Sequence, residues 1–167
     1  MPAIAPVLGH TRRHGPAVPW LLVGGYTAAV LDLSVAAAYW APRGVAVGRI
    51  PQGIASWLLG PAAFSGGILT AVLGVLLYGQ LLWGVATLYD ALARRHPLLS
   101  RRPLACGAVY GVAAYVAIFQ LLVPALTGIR PVVAPFWTAT CLLAYATVVG
   151  IPCALFSRAA RAAKPSA

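Results

Sequence analysis

Acidic side chains are almost missing from this chain: Asp32 and Asp90 are the only two in 167 residues, against twelve lysines and arginines. Acid–base chemistry that needs two neighbouring carboxylates therefore has no second member beside Asp32. Cysteine is scarce as well. Cys106, Cys141 and Cys153 are odd in number, widely spaced and inside apolar runs, so they read as small packing residues rather than a disulfide or metal set. All three histidines (His10, His14 and His96) lie outside the long apolar runs, which leaves no axial imidazole pair for a b-type haem in a helix bundle. Glycine-rich phosphate loops and the HExxH and GxSxG signatures are lacking too. The sequence offers no catalytic residue, no metal ligand set and no cofactor.

What the chain has in excess is apolar surface. Hydrophobic residues make up 61% and charged residues 8%, with a mean hydropathy of +0.87, far from the composition of water-soluble domains. Four runs are long enough to cross a hydrocarbon layer of about 30 Å at 1.5 Å per helical residue: 20–40, 64–88, 104–126 and 136–156. Aromatic residues mark their ends, among them Trp20, Trp40, Tyr89, Trp137 and Phe156, as expected of rings that prefer the headgroup boundary. The expected fold is all-α: one four-helix transmembrane domain over 20–156 between basic tails 1–19 and 157–167. The competing reading of the first run as a signal peptide, cleaved after Ala36-Ala37-Ala38, sits poorly with its length and with Asp32 inside it.

The basic residues set an orientation. Arg12, Arg13, Arg94, Arg95, Arg101, Arg102, Arg158, Arg161 and Lys164 fall in the tails and the middle loop, whereas only Arg43, Arg49 and Arg130 follow the first and third runs. The positive-inside rule then puts both termini in the cytoplasm. Because these residues flank apolar runs instead of lining one face, no nucleic-acid partner is expected. Arginine outnumbers lysine eleven to one and alanine is abundant, which suits a GC-rich bacterial genome and hence a bacterial inner membrane. The lipid bilayer is the expected partner, and a homo-oligomer or a second membrane protein stays open.

Between the first two runs lies GRIPQGIASWLLG, too short and too polar to span. As a helix over 49–59 it sets Ile50, Ile54, Trp57 and Leu58 on one face and Arg49, Gln52, Gly53 and Ser56 on the other. The expectation is an external, surface-lying amphipathic helix, with Arg49, Gln52 and Ser56 toward headgroups and Trp57 toward hydrocarbon or the bundle. An ordinary loop packed on the bundle is the alternative.

Inside the spans, polar residues carry whatever chemistry exists. A carboxylate at Asp32 costs about 2.5–3.5 kcal/mol on insertion scales, so it must face protein or water. Its helical neighbours Gly25, Ala28, Ala29 and Ala36 are small and mark a packing face, with Leu22, Val23, Val30 and Leu33 pointing elsewhere. Small residues mark Gly67, Ala71, Gly74 and Tyr78 in the second span, and Ala113, Ala117, Gln120 and Pro124 in the third. Counting helical rises puts Asp32, Tyr78, Gln120 and Tyr145 within about 10 Å in depth, a candidate intramembrane polar site. Either Asp32 is a hydrogen-bonded tie between helices, or it is a protonatable site on a polar pathway. Gly107 and Gly111 form a GxxxG suited to close helix packing, and Asp90 with Arg94 at i+4 is expected as a helix-end ion pair.

The stretches LDLSVAAAYW, GVAVGRIPQGIASWLLGPAAFSGG, LACGAVYG and GIPCALFSR together resemble a group of small four-span bacterial inner-membrane proteins, YagU-like in style, over residues 20 to 160. The resemblance implies the four-span layout and brings no activity or ligand with it. Members of that group often carry a histidine in the second span where this chain has Tyr78, a departure that puts any shared proton or metal role in doubt. Two functions stand at this stage: a non-enzymatic inner-membrane protein acting through packing, partner binding or the envelope, and a small-solute or proton conductor centred on Asp32.

Overall fold

The computed structural model describes residues 17–128 and 134–162; residues 1–16 with Arg12 and Arg13, 129–133 with Arg130, and 163–167 with Lys164 lie outside the described residues. Helix α1 runs Ala17–Trp40, α2 Arg49–Leu59, α3 Gly67–Arg95, α4 Pro97–Arg101 and α5 Pro103–Tyr115. A π-helical stretch, Val116–Leu122, joins α5 to α6 (Val123–Thr127); a second, Tyr145–Gly150, joins α7 (Pro135–Ala144) to α8 (Ile151–Ala162). No strand occurs among the described residues. Four helices are long and apolar enough to cross a bilayer: Val18–Arg43, Gly67–Arg95, Pro103–Thr127 and Pro135–Ala162.

Outward-facing side chains agree with lipid as the solvent. Ile68, Leu69, Leu126 and Phe136 are 75–83% exposed, an arrangement that would be costly in water. With lipid outside, apolar burial gives little drive for helices to associate, so close backbone approach and hydrogen bonds must hold the bundle. Glycines permit that approach. A methyl group at Gly24 would overlap the Phe156 ring and one at Gly25 the backbone of Trp83, so α1 can wedge against α3 and α8 only because both positions lack a side chain. Gly107 and Gly111 of α5 meet Gly150 and the Tyr145 carbonyl of the last span, so the GxxxG stripe closes a seam within one bundle.

Helix α3 is central. Ala71, Gly74, Tyr78, Leu82, Val85, Ala86, Tyr89, Asp90 and Ala93 recur at helical spacing and are all buried. Trp20 touches Phe156 at one end of the bundle and Trp40 touches Trp137 at the other (ring centroids 6.4 and 5.3 Å), so the described chain begins and ends at the same end.

The helices overrun the apolar runs that announce them. α3 continues through Arg94 and Arg95, and the last span continues from 157 to Ala162 with Ser157 and Ala160 fully buried, where the sequence suggested a basic tail. Helix continuity depends on backbone bonding, not on hydropathy, so polar residues extend a helix past the lipid boundary without ending it. Each π-helical stretch holds the carbonyl that a proline four residues on leaves without its α-helical donor, Gln120 before Pro124 and Val148 before Pro152. A wider turn at these points relieves the clash of the proline ring with the preceding turn.

The chain from 49 to 59 is a helix, ended by Gly60 at φ 59° and Pro61. It packs along α3, and Gly74 lets the Pro51 carbonyl come against the α3 backbone. Arg49 is exposed and Ser56 half-buried, its hydroxyl on the Gly53 carbonyl. Gln52, expected to face headgroups, is instead buried and donates to the Gly67 carbonyl (2.9 Å) and Thr70 Oγ1 (3.3 Å). The first carbonyls and side chains of α3 give its amide a partner inside, which outweighs the preference of a glutamine for water.

Candidate functional site

Asp32 stands eight residues before Trp40 on α1, about 12 Å from that end of the helix. Its partial burial follows from the small residues around it: Gly25, Ala28 and Ala29 are buried against the bundle, Val23 and Val30 face outward, and Leu33 packs against the core rather than away from it. The Tyr78 hydroxyl, from the buried stripe of α3, donates to Asp32 Oδ2. It also shares a 2.8 Å hydrogen bond with the Tyr145 hydroxyl, and both phenols are 1% exposed. With Tyr78 donating to the carboxylate, its oxygen accepts from Tyr145, giving a relay Tyr145 to Tyr78 to Asp32 across three spans.

Tyr145 opens the second π-helical stretch, and Tyr115 and Phe119 pack edge-on to its ring at 5.5 and 5.8 Å. Above this relay lies a cleft of about 450 Å³. α1 contributes Asp32, Leu33, Ala36 and Trp40; α2 contributes Ile50, Gly53, Ile54 and Trp57; the last two spans supply Tyr115, Phe119, Trp137, Thr140 and Cys141. Trp57 meets Phe119 at 5.8 Å, so α2 forms one wall and the third span faces it. The volume lies within the roughly 300–1,000 Å³ of small-molecule sites, and the lining has their usual make-up of apolar walls with a few convergent polar groups.

Of the four residues grouped by depth, the structure joins Asp32, Tyr78 and Tyr145 and leaves Gln120 out. Gln120 is exposed on the outer side of the bundle and lies in the first π-helical stretch. Ala113 and Ala117 are exposed with it, while Gly107, Gly111, Tyr115 and Ile118 are buried, so the third span packs through its glycine stripe and not through the alanine face.

A second polar cluster sits at the end where the described chain begins and ends. Asp90 is 2% exposed and accepts from Arg94 Nε (2.8 Å) and Nη2, and from Ser157 Oγ (2.8 Å). Arg161 Nε lies 3.8 Å from Asp90 Oδ1, and its Nη1 donates to the Ala93 carbonyl (3.1 Å) and Ser100 Oγ (2.8 Å). The expected i+4 pair is thus part of a tie among α3, α4 and α8. Ser157 and Arg161, four apart, carried the signal of a continuing helix face.

The three cysteines are unpaired, Cys153 buried and the other two half-buried. No group of three or more His, Cys, Asp or Glu comes together among the described residues. The protein-family models, the curated proteins and the solved structures contain no match to this chain, so the family resemblance in the sequence neither gains nor loses support.

Proposed function

We propose that the protein is a multi-pass bacterial inner-membrane protein that binds a small amphipathic solute in the cleft over Asp32, as a carrier or conductor rather than as an enzyme. The observation that carries this is the cleft itself: aromatic and aliphatic walls over a single carboxyl, itself held by a two-tyrosine relay. A carboxyl serving only as a tie between helices would need no open volume beside it.

Gly53 provides the test. A Cβ there meets nothing within 4 Å, and the residue lines the cleft. Gly53→Phe should therefore fill the volume without moving α2. Quenching of tryptophan fluorescence by small amphipathic compounds, reported by Trp40, Trp57 and Trp137 in the walls, should be saturable in the native protein and lost in the variant. Equal, non-saturable quenching in both would overturn the reading.

Both termini are cytoplasmic in this proposal, with α2 in the headgroup layer of the opposite face. Supporting it, Arg94, Arg95, Arg101, Arg102, Arg158 and Arg161 gather at one end and only Arg43 and Arg49 at the other, among the described residues. A reporter after Lys164 or near Leu98 should read cytoplasmic and one near Val45 external. Finding Val45 and Leu98 on the same side would sink this orientation.

A further inference from the structure

The cleft has a carboxyl but no basic partner for it. Asp32 is the one ionisable carboxyl in its lining, and no lysine or arginine lines it. The two basic residues nearest in the chain are occupied elsewhere: Arg43 donates to the Tyr39 carbonyl and lies 3.8 Å over the Tyr39 ring, and Arg49 sits 5.5 Å over Phe64. The Tyr78 hydroxyl donates to Asp32 Oδ2, and Asp32 also lines the open volume.

The walls add a second attraction of the same sign. Trp40, Trp57, Trp137, Tyr115 and Phe119 line the volume, and the negative faces of such rings attract cations, the more so when water is excluded. An anion would meet repulsion from both features. A neutral solute would use the apolar walls and gain nothing from the charge of an ionised Asp32.

We propose that the solute is an organic monocation: an amphipathic amine or quaternary ammonium whose charge sits at Asp32 and whose apolar body lies among the tryptophans. This rests on the reading of the cleft as a solute site.

The probes are tetraphenylphosphonium, a permanent cation, and triphenylphosphine oxide, a neutral compound of related shape, titrated against the protein in nanodiscs. The cation should bind on the order of tenfold more tightly than the neutral compound, the ratio one well-formed charge contact supplies. In Asp32→Asn that preference should fall to about twofold or less. The Asn carbonyl oxygen still accepts from Tyr78, so the fold has no reason to change, and a matching thermal unfolding midpoint checks this. Asp32→Glu should restore the preference for the cation. If both compounds bind equally and Gly53→Phe abolishes both, the solute site stands and the choice of a cation is wrong. If neither binds and Gly53→Phe changes nothing, the cleft is not a solute site at all. A cation preference that survives in Asp32→Asn would also overturn the proposal, since the charge would then be read elsewhere.

Discussion

Asp90→Ala should destabilise the folded bundle by about 3 kcal/mol, the low end of the range for breaking a buried ion pair. The loss is large because Asp90 is shared. Removing it leaves the fully buried Ser157 hydroxyl without its acceptor and takes from Arg94 and Arg161 the anion between them. The arginine side chains are half and one-quarter exposed, so they can turn toward water, which keeps the cost at the low end. Asp90→Asn should cost less, because an amide oxygen still accepts from Ser157 while the charge is lost. In a detergent melt the alanine variant should unfold roughly 6–12 °C lower, using the conversion for domains of this size. A drop under about 2 °C would mean that α3 and α8 are held at this end without help from Asp90.

Gly111→Val should be comparably damaging for a different reason. A Cβ at this position would run into the Tyr145 carbonyl and lie 3.1 Å from the Gly150 Cα, both backbone of the facing helix, so no side chain can rotate away. Overpacking ordinarily costs about 1–3 kcal/mol, and a backbone-to-backbone contact belongs at or above the top of that range. Gly84→Ala is the matched control. It lies on the exposed side of α3 with nothing within 4 Å of its Cβ, and a helical alanine in place of glycine should stabilise by up to about 1 kcal/mol. Unfolding of both variants in one detergent gives the comparison. If Gly111→Val and Gly84→Ala melt alike, the α5 seam is not a close contact.

The four spans were legible because lipid imposes length and composition together, and no soluble segment imitates twenty apolar residues in a row. Their ends were not, since hydropathy marks where lipid stops and not where backbone bonding stops, as Ser157 to Ala162 demonstrates. Asp32, Tyr78 and Tyr145 came together from depth alone. The same count of rises groups Gln120 with them, but its azimuth faces it outward. A rise per residue fixes height along a span, but rotation about its axis depends on every turn between, and the wide turn at 116–122 adds to that rotation in a way no α-helical count contains. Gln52 failed differently. Its residue type ranks as water-seeking, while the Gly67 carbonyl that satisfies it comes from the first turn of α3 fifteen residues later, which only the folded chain brings near.

The two wide turns meet at the same level, where Phe119 from one packs against Tyr145 from the other. Each of the last two spans is therefore a jointed rod rather than a stiff one. Below the joint, the glycine seam and the Asp90 tie clamp α5 and α8 into an anchored base. Above it, α6 and α7 carry Val123, Trp137, Thr140 and Cys141, which form one jaw of the cleft. Because Pro124 and Pro152 have already removed an α-helical bond from each rod, flexing there sacrifices little hydrogen bonding. The upper part can tilt on its base, while α2 across the cleft is kept in place by Gln52 and by the notch at Gly74.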